Sequence, residues 1–285
     1  MTGLQLMLPP FVACMVLVAM LSYLGLHVIA REVIFVDLSL AQIAALGSLV
    51  ALLFVGHDSA LRWVFALIFT AVGAFLFAIT RTSRGGRVPQ EAIIGVVYVV
   101  ASASAILVAD KVPGGGEEVE KSLVGSILWV TWPGIARLAG AYVALGAFQI
   151  ALRRKFLTIS FQPEEAERNG WKIRWWDFWF YLSFGIAITL AVPVGGVLMV
   201  FSFLVVPAVI AFLFTRDMRR LAYLAWGSGA VASLLGLWIS FTGNLPTGPL
   251  IVCMYGLLLA AAALLRKAGV GTAAIGTAAR EGAAG

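Results

Sequence analysis

The sequence predicts an all-helical, polytopic membrane protein with about nine transmembrane helices, or eight if the first apolar run is miscounted. Three observations predict it. Of the 285 residues, 61% are hydrophobic and only 12% charged, where a soluble domain carries about 25% charged residues. The apolar residues come in continuous runs near the length of a membrane helix rather than in alternation, which favours helices over a barrel. The basic residues gather at the ends of those runs, so the net charge of +6 is a membrane-edge signal and not a nucleic-acid footprint. Cys14 and Cys253 each lie inside an apolar run, without metal-ligand or redox spacing, and read as small buried residues.

The runs follow one another with short breaks. The first covers residues 4–29, with Pro9 and Pro10 near its start and His27 near its end. No basic region precedes it, so no cleavable signal is expected. His27 reads as an interfacial or packing residue. Arg31 and Glu32 make a very short turn into the second run, 33–56, which His57 and Asp58 end. The third is 61–80. Residues 81–90, with Arg81, Arg84, Arg87 and Pro89, form a basic loop before the fourth run, 92–109. Residues 110–121 read as a Gly-rich acidic loop. Residues 122–130 are apolar but too short to span, and Gly125 and Trp129 suggest a re-entrant or interfacial piece. The fifth run is 133–152. After a polar interruption come the sixth, 178–192, and the seventh, 197–215, separated by Pro193, Gly195 and Gly196. The eighth and ninth are 221–241 and 250–265. Residues 1–267 thus form one membrane domain. The Gly/Ala-rich tail, 268–285, is too small-sided to bury anything and is expected to be disordered.

The polar interruption, residues 153–176, is the longest in the chain. Pro163 suits a first helical position. Glu164, Glu165 and Glu167 place negative charge near the positive end of the helix dipole. Arg168 closes the helix, and Asn169-Gly170 supplies a left-handed stop. About two turns of helix, 163–169, are therefore predicted between two spans. Two readings stand: a solvated connection, or a docking element for a soluble partner.

Counting charges orients the chain. With 153–176 inside and the spans alternating, only Arg62, Lys111, Lys121 and Arg137 of the 20 basic residues fall outside. That places the N-terminus outside, the C-terminus and residues 153–176 in the cytoplasm, and the acidic cluster outside.

Asp37 is the acidic residue near the start of a span with polar neighbours on the same helix. At bilayer depth an aspartate costs about 2.5–3.5 kcal/mol on insertion scales, so it faces a pathway or a partner; near the interface the cost is much smaller. Ser39 and Gln42 are spaced i,i+3 and share a face. Ala41, Ala44, Ala45, Gly47 and Ser48 make this helix small-sided, which suits close packing or a narrow passage. No Walker loop, paired catalytic carboxylates, Ser/His/Asp set or HExxH occurs, so the chain itself is expected neither to bind ATP nor to cut a bond.

Six segments then resemble, in order, one family: the membrane-spanning permease subunits of ABC importers for zinc, manganese and iron. Arg31, Glu32, Phe35, Asp37, Ser39 and Gly47 resemble its arginine-bounded Asp-x-x-Ser-His segment. Residues 91–95 (EAIIG) resemble its entry to the fourth span, and 124–128 (VGSIL) its Phe-Gly-Asn-Ile-Leu element. Residues 160–166 (SFQPEEA), with Gly170, are similar to its coupling segment. Residues 194–208 (VGGVLMVFSFLVVPA) and 245–249 (LPTGP) are similar to its Val-Gly-x-Leu-Leu-Val…Pro-Ala span and its Leu-Pro-Thr/Ser-Gly turn.

The resemblance implies a bacterial inner-membrane permease of the fold seen in vitamin B12 and metal-chelate importers. It implies a homodimer with the passage between protomers, surrounded by membrane lipid. Two ATP-binding cassette subunits would dock on Pro163, Glu164, Glu165, Ala166 and Gly170. A periplasmic or extracellular binding protein would deliver substrate, and no cofactor or nucleic acid is involved. The substrate path would include Asp37, Ser39 and Gln42, with Asp37 as the metal ligand. One departure stands out: the family's histidine, four residues after the aspartate, is here Ala41, or Gln42 with a one-residue shift. Oxygen donors suit a harder cation better than zinc. The competing readings are a stand-alone secondary transporter using Asp37 as a proton or cation site, and a membrane-anchored interaction protein.

Overall fold

Apolar runs that must satisfy their own backbone in lipid can do so only as helices, and the computed structural model, which describes residues 3–55, 59–81 and 88–268, contains no strand among them. The helices are α1 Gly3–Ala30, α2 Val36–Leu52, α3 Leu61–Ile79, α4 Gln90–Ala109, α5 Gly115–Val124, α6 Trp132–Ala151, α7 Arg153–Phe161, α8 Pro163–Arg168, α9 Ile173–Phe214, α10 Met218–Gly243 and α11 Thr247–Lys267, with a short 3-10 turn at Ile127–Trp129. Seven of them (α1, α3, α4, α6, α9, α10 and α11) are long and apolar enough to cross a membrane. The expected nine are not reproduced as separate long helices. There are two reasons. The second run forms a helix of only 17 residues, and the sixth and seventh runs join into one element of 42 residues. The expected basic loop falls largely in residues 82–87, and the expected disordered tail almost wholly in 269–285; both lie outside the described residues, as does His57.

Helix α9 is not straight. Gly196 has φ 74° and ψ 158°, far from helical values, and Pro193 has no N–H to give. The chain folds back there. At its start, Asp177 pairs with Arg31 at the end of α1. The middle, at Gly195, faces Leu17. The second arm returns along α1: Ser22 Oγ donates to the Phe203 carbonyl at 3.1 Å, and Ala208 and Ala211 pack with Leu26. Both ends of α9 therefore lie at one end of α1.

A break at membrane depth strands backbone carbonyls, each costly in lipid. The segment after α5 satisfies them. Ser126 donates from its backbone N–H to Val194 and from Oγ to Pro193, both at 3.0 Å. This close approach needs two glycines. Gly125 (φ 72°) sits so near that a Cβ on it would lie 2.2 Å from the Gly196 nitrogen, and one on Gly196 would lie 2.4 Å from the Val124 carbonyl carbon. The expected acidic loop is thus in its second half a helix, α5, whose end braces the break.

Three helix ends close in left-handed turns; the one after α10 is at Asn244 (φ 51°). After α8, Gly170 (φ 64°) sends its N–H to Glu167 and the next N–H, of Trp171, to Ala166, the expected stop. After α1, the N–H groups of Glu32 and Val33 go to Ile29 and Val28 in the same pattern. The left-handed position there holds Glu32 (φ 58°) instead of glycine, at a cost of about 1–2 kcal/mol.

The stretch 153–161, expected as a connecting loop, is the amphipathic helix α7, with Phe156, Ile159 and Ser160 buried on one face at i, i+3, i+4 spacing.

Gly125→Ala and Gly196→Ala are each expected to destabilise the purified protein by more than about 2 kcal/mol, because backbone must move. Gly95→Ala, with nothing within 4 Å of its Cβ, is expected to be neutral or slightly stabilising. Thermal unfolding in detergent checks all three.

Candidate functional site

Helix α2 carries Asp37, Ala41, Ala44, Ala45 and Ser48 down one face. Ala41, Gln42, Ala45 and Ser48 line a cavity of about 810 Å3 between α2, α3, α4, α5 and α9. Its walls also bring polar groups from Tyr98, Ser102 and Thr189, and an Arg62–Glu118 ion pair of 2.8 Å joins α3 to α5 at its edge. A second cavity, about 690 Å3, opens at the opposite end, lined by Arg31, Arg81, Glu91, Glu164, Glu167 and Arg174 among others.

Asp37 lies between them. It is 1% exposed, and its Oδ1 has no hydrogen-bond partner among the described residues. Ala41, one turn along the same face, lines the first cavity. Glu91, held by the backbone two residues before Asp37, lines the second. Glu91 is fixed by one oxygen, which accepts from the Phe35 N–H at 2.9 Å. Its other oxygen is buried without a partner. Two neighbouring carboxylates with unfilled oxygens form a cradle that a cation would satisfy. Among the described residues no three His, Cys, Asp or Glu side chains cluster as a complete metal site.

The three residues expected to line a path are thus distributed differently. Gln42 faces the cavity. Asp37 sits one turn below it. The Ser39 hydroxyl donates to the Ile94 carbonyl at 2.8 Å and holds α2 against α4. Glu91 was not singled out as a site residue. Only its place at the start of the fourth run signalled it, and nothing in the sequence puts it beside Asp37.

The central segment is tied down by a buried polar cluster. Arg31 Nη1 meets Asp177 Oδ1 at 2.6 Å, and Arg81 pairs with the other oxygen of Asp177. Arg31 Nε donates to Ser160 Oγ at 2.8 Å. Ser160 Oγ lies 2.9 Å from His27 Nδ1, within hydrogen-bond distance. The Arg31 guanidinium also lies 3.9 Å over the Phe180 ring, a cation–π contact. His27 packs among Tyr23, Phe161 and Phe180, the expected packing role. In α8, Ala166 is fully buried while Glu164, Glu165 and Glu167 are exposed, so the helix is anchored by one small residue and presents its carboxylates.

A bundle of membrane-length helices broken at a braced glycine, with one buried and one half-buried carboxylate between two cavities, makes this a polytopic membrane protein with polar groups set inside it. The chain belongs to the ABC 3 transport family, whose model matches residues 3–266. It is 23% identical over 266 residues to the Chlamydia pneumoniae probable metal transport system membrane protein, covering 93% of this chain and 90% of that one. It is 27% identical over 178 residues to the Chlamydia trachomatis probable metal transport system membrane protein, a match that spans 61% of that relative's length. It is 26% identical over 194 residues to the manganese transport system membrane protein MntC of Listeria innocua, covering 64% of this chain and 66% of that one. In fold it resembles PsaBC from Streptococcus pneumoniae, solved with a Fab, with a TM-score of 0.75 and 18% identity over 92% of this chain and 91% of that one.

If the first cavity is an accessible basin, a Gln42→Cys thiol reacts with a small water-soluble thiol reagent in the purified, Cys253→Ser protein. A Ser39→Cys thiol is expected to react at least tenfold more slowly. Equal rates would show that the two faces of α2 are not distinguished as described.

Proposed function

We propose that this chain is the membrane-spanning subunit of an ATP-driven importer that carries a hard divalent cation, manganese(II) being the ion named for several relatives. The observation that carries the reading is the Asp37–Glu91 pair: a buried and a half-buried carboxylate, each with one covered, unfilled oxygen, set between two cavities. A charge in that position is expensive unless something uses it. Oxygen donors without imidazole or thiolate favour manganese over zinc.

The remaining parts follow from the same geometry. Nine crossings result if α2 is counted with its flanking turns and α9 as two arms folded back at Gly196. The end of α1 that meets Asp177 then shares a face with α7, α8 and the end of α11, and with most of the basic residues, so that face is cytoplasmic. The exposed carboxylates of α8 dock the ATPase, and the opposite face, with α5, receives a binding protein. Helices α11, α4 and α6 are the least covered of the long helices; a second copy of the chain and lipid cover them.

Reconstituted with its ATPase and binding protein, the unmutated protein is expected to take up Mn2+ in an ATP-dependent manner. Asp37→Asn keeps the side-chain size and is expected to reduce that uptake at least tenfold while the ATPase still co-purifies. Uptake at the unmutated rate would show that Asp37 only packs, and uptake that ignores ATP would favour a stand-alone cation transporter. Ala41→His, or Gln42→His as its paired control, is expected to raise zinc binding by adding the missing imidazole.

The double change Glu164→Lys with Glu165→Lys tests α8. It reverses two exposed charges without touching Ala166, so the spans keep their thermal stability while ATP hydrolysis no longer drives uptake. Normal uptake by this variant would remove α8 as the docking element.

A further inference from the structure

We propose that the turn at residues 31–35 is the positioning element that ties the coupling segment to the Asp37–Glu91 pair, with Arg31 and Glu32 as the residues that make the tie stiff; this rests on the importer reading above. Three contacts carry the proposal. Arg31 holds Ser160 at 2.8 Å, and Ser160 lies in the last turn of α7, three residues before Pro163 opens α8. At the other end of the turn, the Phe35 N–H holds the Glu91 carboxylate at 2.9 Å, and α2 begins one residue later with Asp37 in its first turn. Between these ends stands Glu32, at φ 58°, with its own N–H and that of Val33 both bonded back into α1.

A side chain in the left-handed region restricts the backbone more than glycine does there. The turn therefore behaves as a short rigid link, and a displacement of α7 that drags Arg31 is passed to Phe35 and the two carboxylates. Room for that displacement exists. The 690 Å3 cavity separates Glu164 and Glu167 of α8 from Glu91, and Arg31, on the same cavity wall, keeps one buried nitrogen, Nη2, without a partner. That spare donor allows a second arrangement in which an α8 carboxylate meets Arg31. Arg31 and Glu32 are positioning residues here; neither is proposed to touch the ion.

The test uses the permease–ATPase complex in proteoliposomes, with Cys253→Ser and a reporter Ala45→Cys in the first cavity. The readout is the change in labelling rate of that thiol when ATP and vanadate are added, so no metal is needed. Glu32→Gly relieves the strained position and slackens the turn. It is expected to leave thermal stability and ATPase co-purification unchanged or improved, yet to cut the nucleotide-dependent change at least fivefold. Ser160→Ala, which detaches Arg31 from α7 and leaves buried polar groups unpaired, is expected to lower thermal stability and to cut the nucleotide-dependent change as well. Glu32→Ala keeps the restricted backbone and is expected to keep the change. Full retention of the change by Glu32→Gly and Ser160→Ala overturns the proposal, and so does its loss in Glu32→Ala. A parent protein with no nucleotide effect would contradict the importer reading, and the tie with it.

Discussion

Asp177 is a fully buried carboxylate held between two arginines, and the arrangement of the half of the bundle around the end of α1 depends on it. Arg31 comes from the end of α1 and Arg81 from the end of α3, while Asp177 opens α9. Removing a charge from water is expensive, and the cost is recovered only when geometry and hydrogen bonds are nearly complete. Here both carboxylate oxygens are used, and Arg31 adds a bond to Ser160 and the face of Phe180. Removing one partner would leave a buried charge uncompensated, at a cost of about 3–5 kcal/mol. Three long helices and the amphipathic α7 are thereby brought to one place, and α8 is presented from there.

The other half of the bundle depends on a backbone problem. Helix α9 must reverse within the apolar layer, where free carbonyls have no water to turn to. The reversal uses Gly196 and Pro193, and the exposed carbonyls are taken up by Ser126. The reach of Ser126 requires the Gly125–Gly196 contact, and that contact requires α5 to end where it does. Polar bonds between helices add to this frame. Tyr142 Oη donates to the Ala187 carbonyl, Gln149 donates to Ser183, and Thr70 meets Thr189, so α3, α6 and the first arm of α9 are joined by hydrogen bonds as well as by packing.

Much of this was legible in the sequence, because in lipid the hydrophobic pattern and the helix pattern are nearly the same thing. The runs, the α8 helix with its Pro163 start and Gly170 stop, and the breaking residues at 193–196 were all readable from local chemistry. Helix α7 was not, because Arg153, Arg154 and Lys155 at its start gave it the look of a loop and hid the Phe156–Ile159 face. Helix α5 was hidden by its glycines and glutamates in the same way. The site was legible in part. Asp37 stood out as a charge in an apolar run, and Gln42 was placed on a lining face. Ser39 shared the pattern but is committed to Ile94. The Asp37–Glu91 proximity and the Arg31–Asp177–Arg81 cluster join residues 54, 146 and 96 positions apart, and no local pattern in one sequence encodes such pairings.

The most direct test of the account is a double-mutant cycle across the Arg31–Asp177 contact, read by thermal unfolding of the purified protein. Asp177→Asn and Arg31→Gln are each expected to lower stability substantially, because each breaks the buried Arg31–Asp177 contact. The double variant is expected to lose less than the sum of the two single losses, because the Arg31–Asp177 contact is shared by both while Arg81, Ser160 and Phe180 are partners of only one of them. Losses that simply add would contradict the claim that this buried pair joins the ends of α1 and α9.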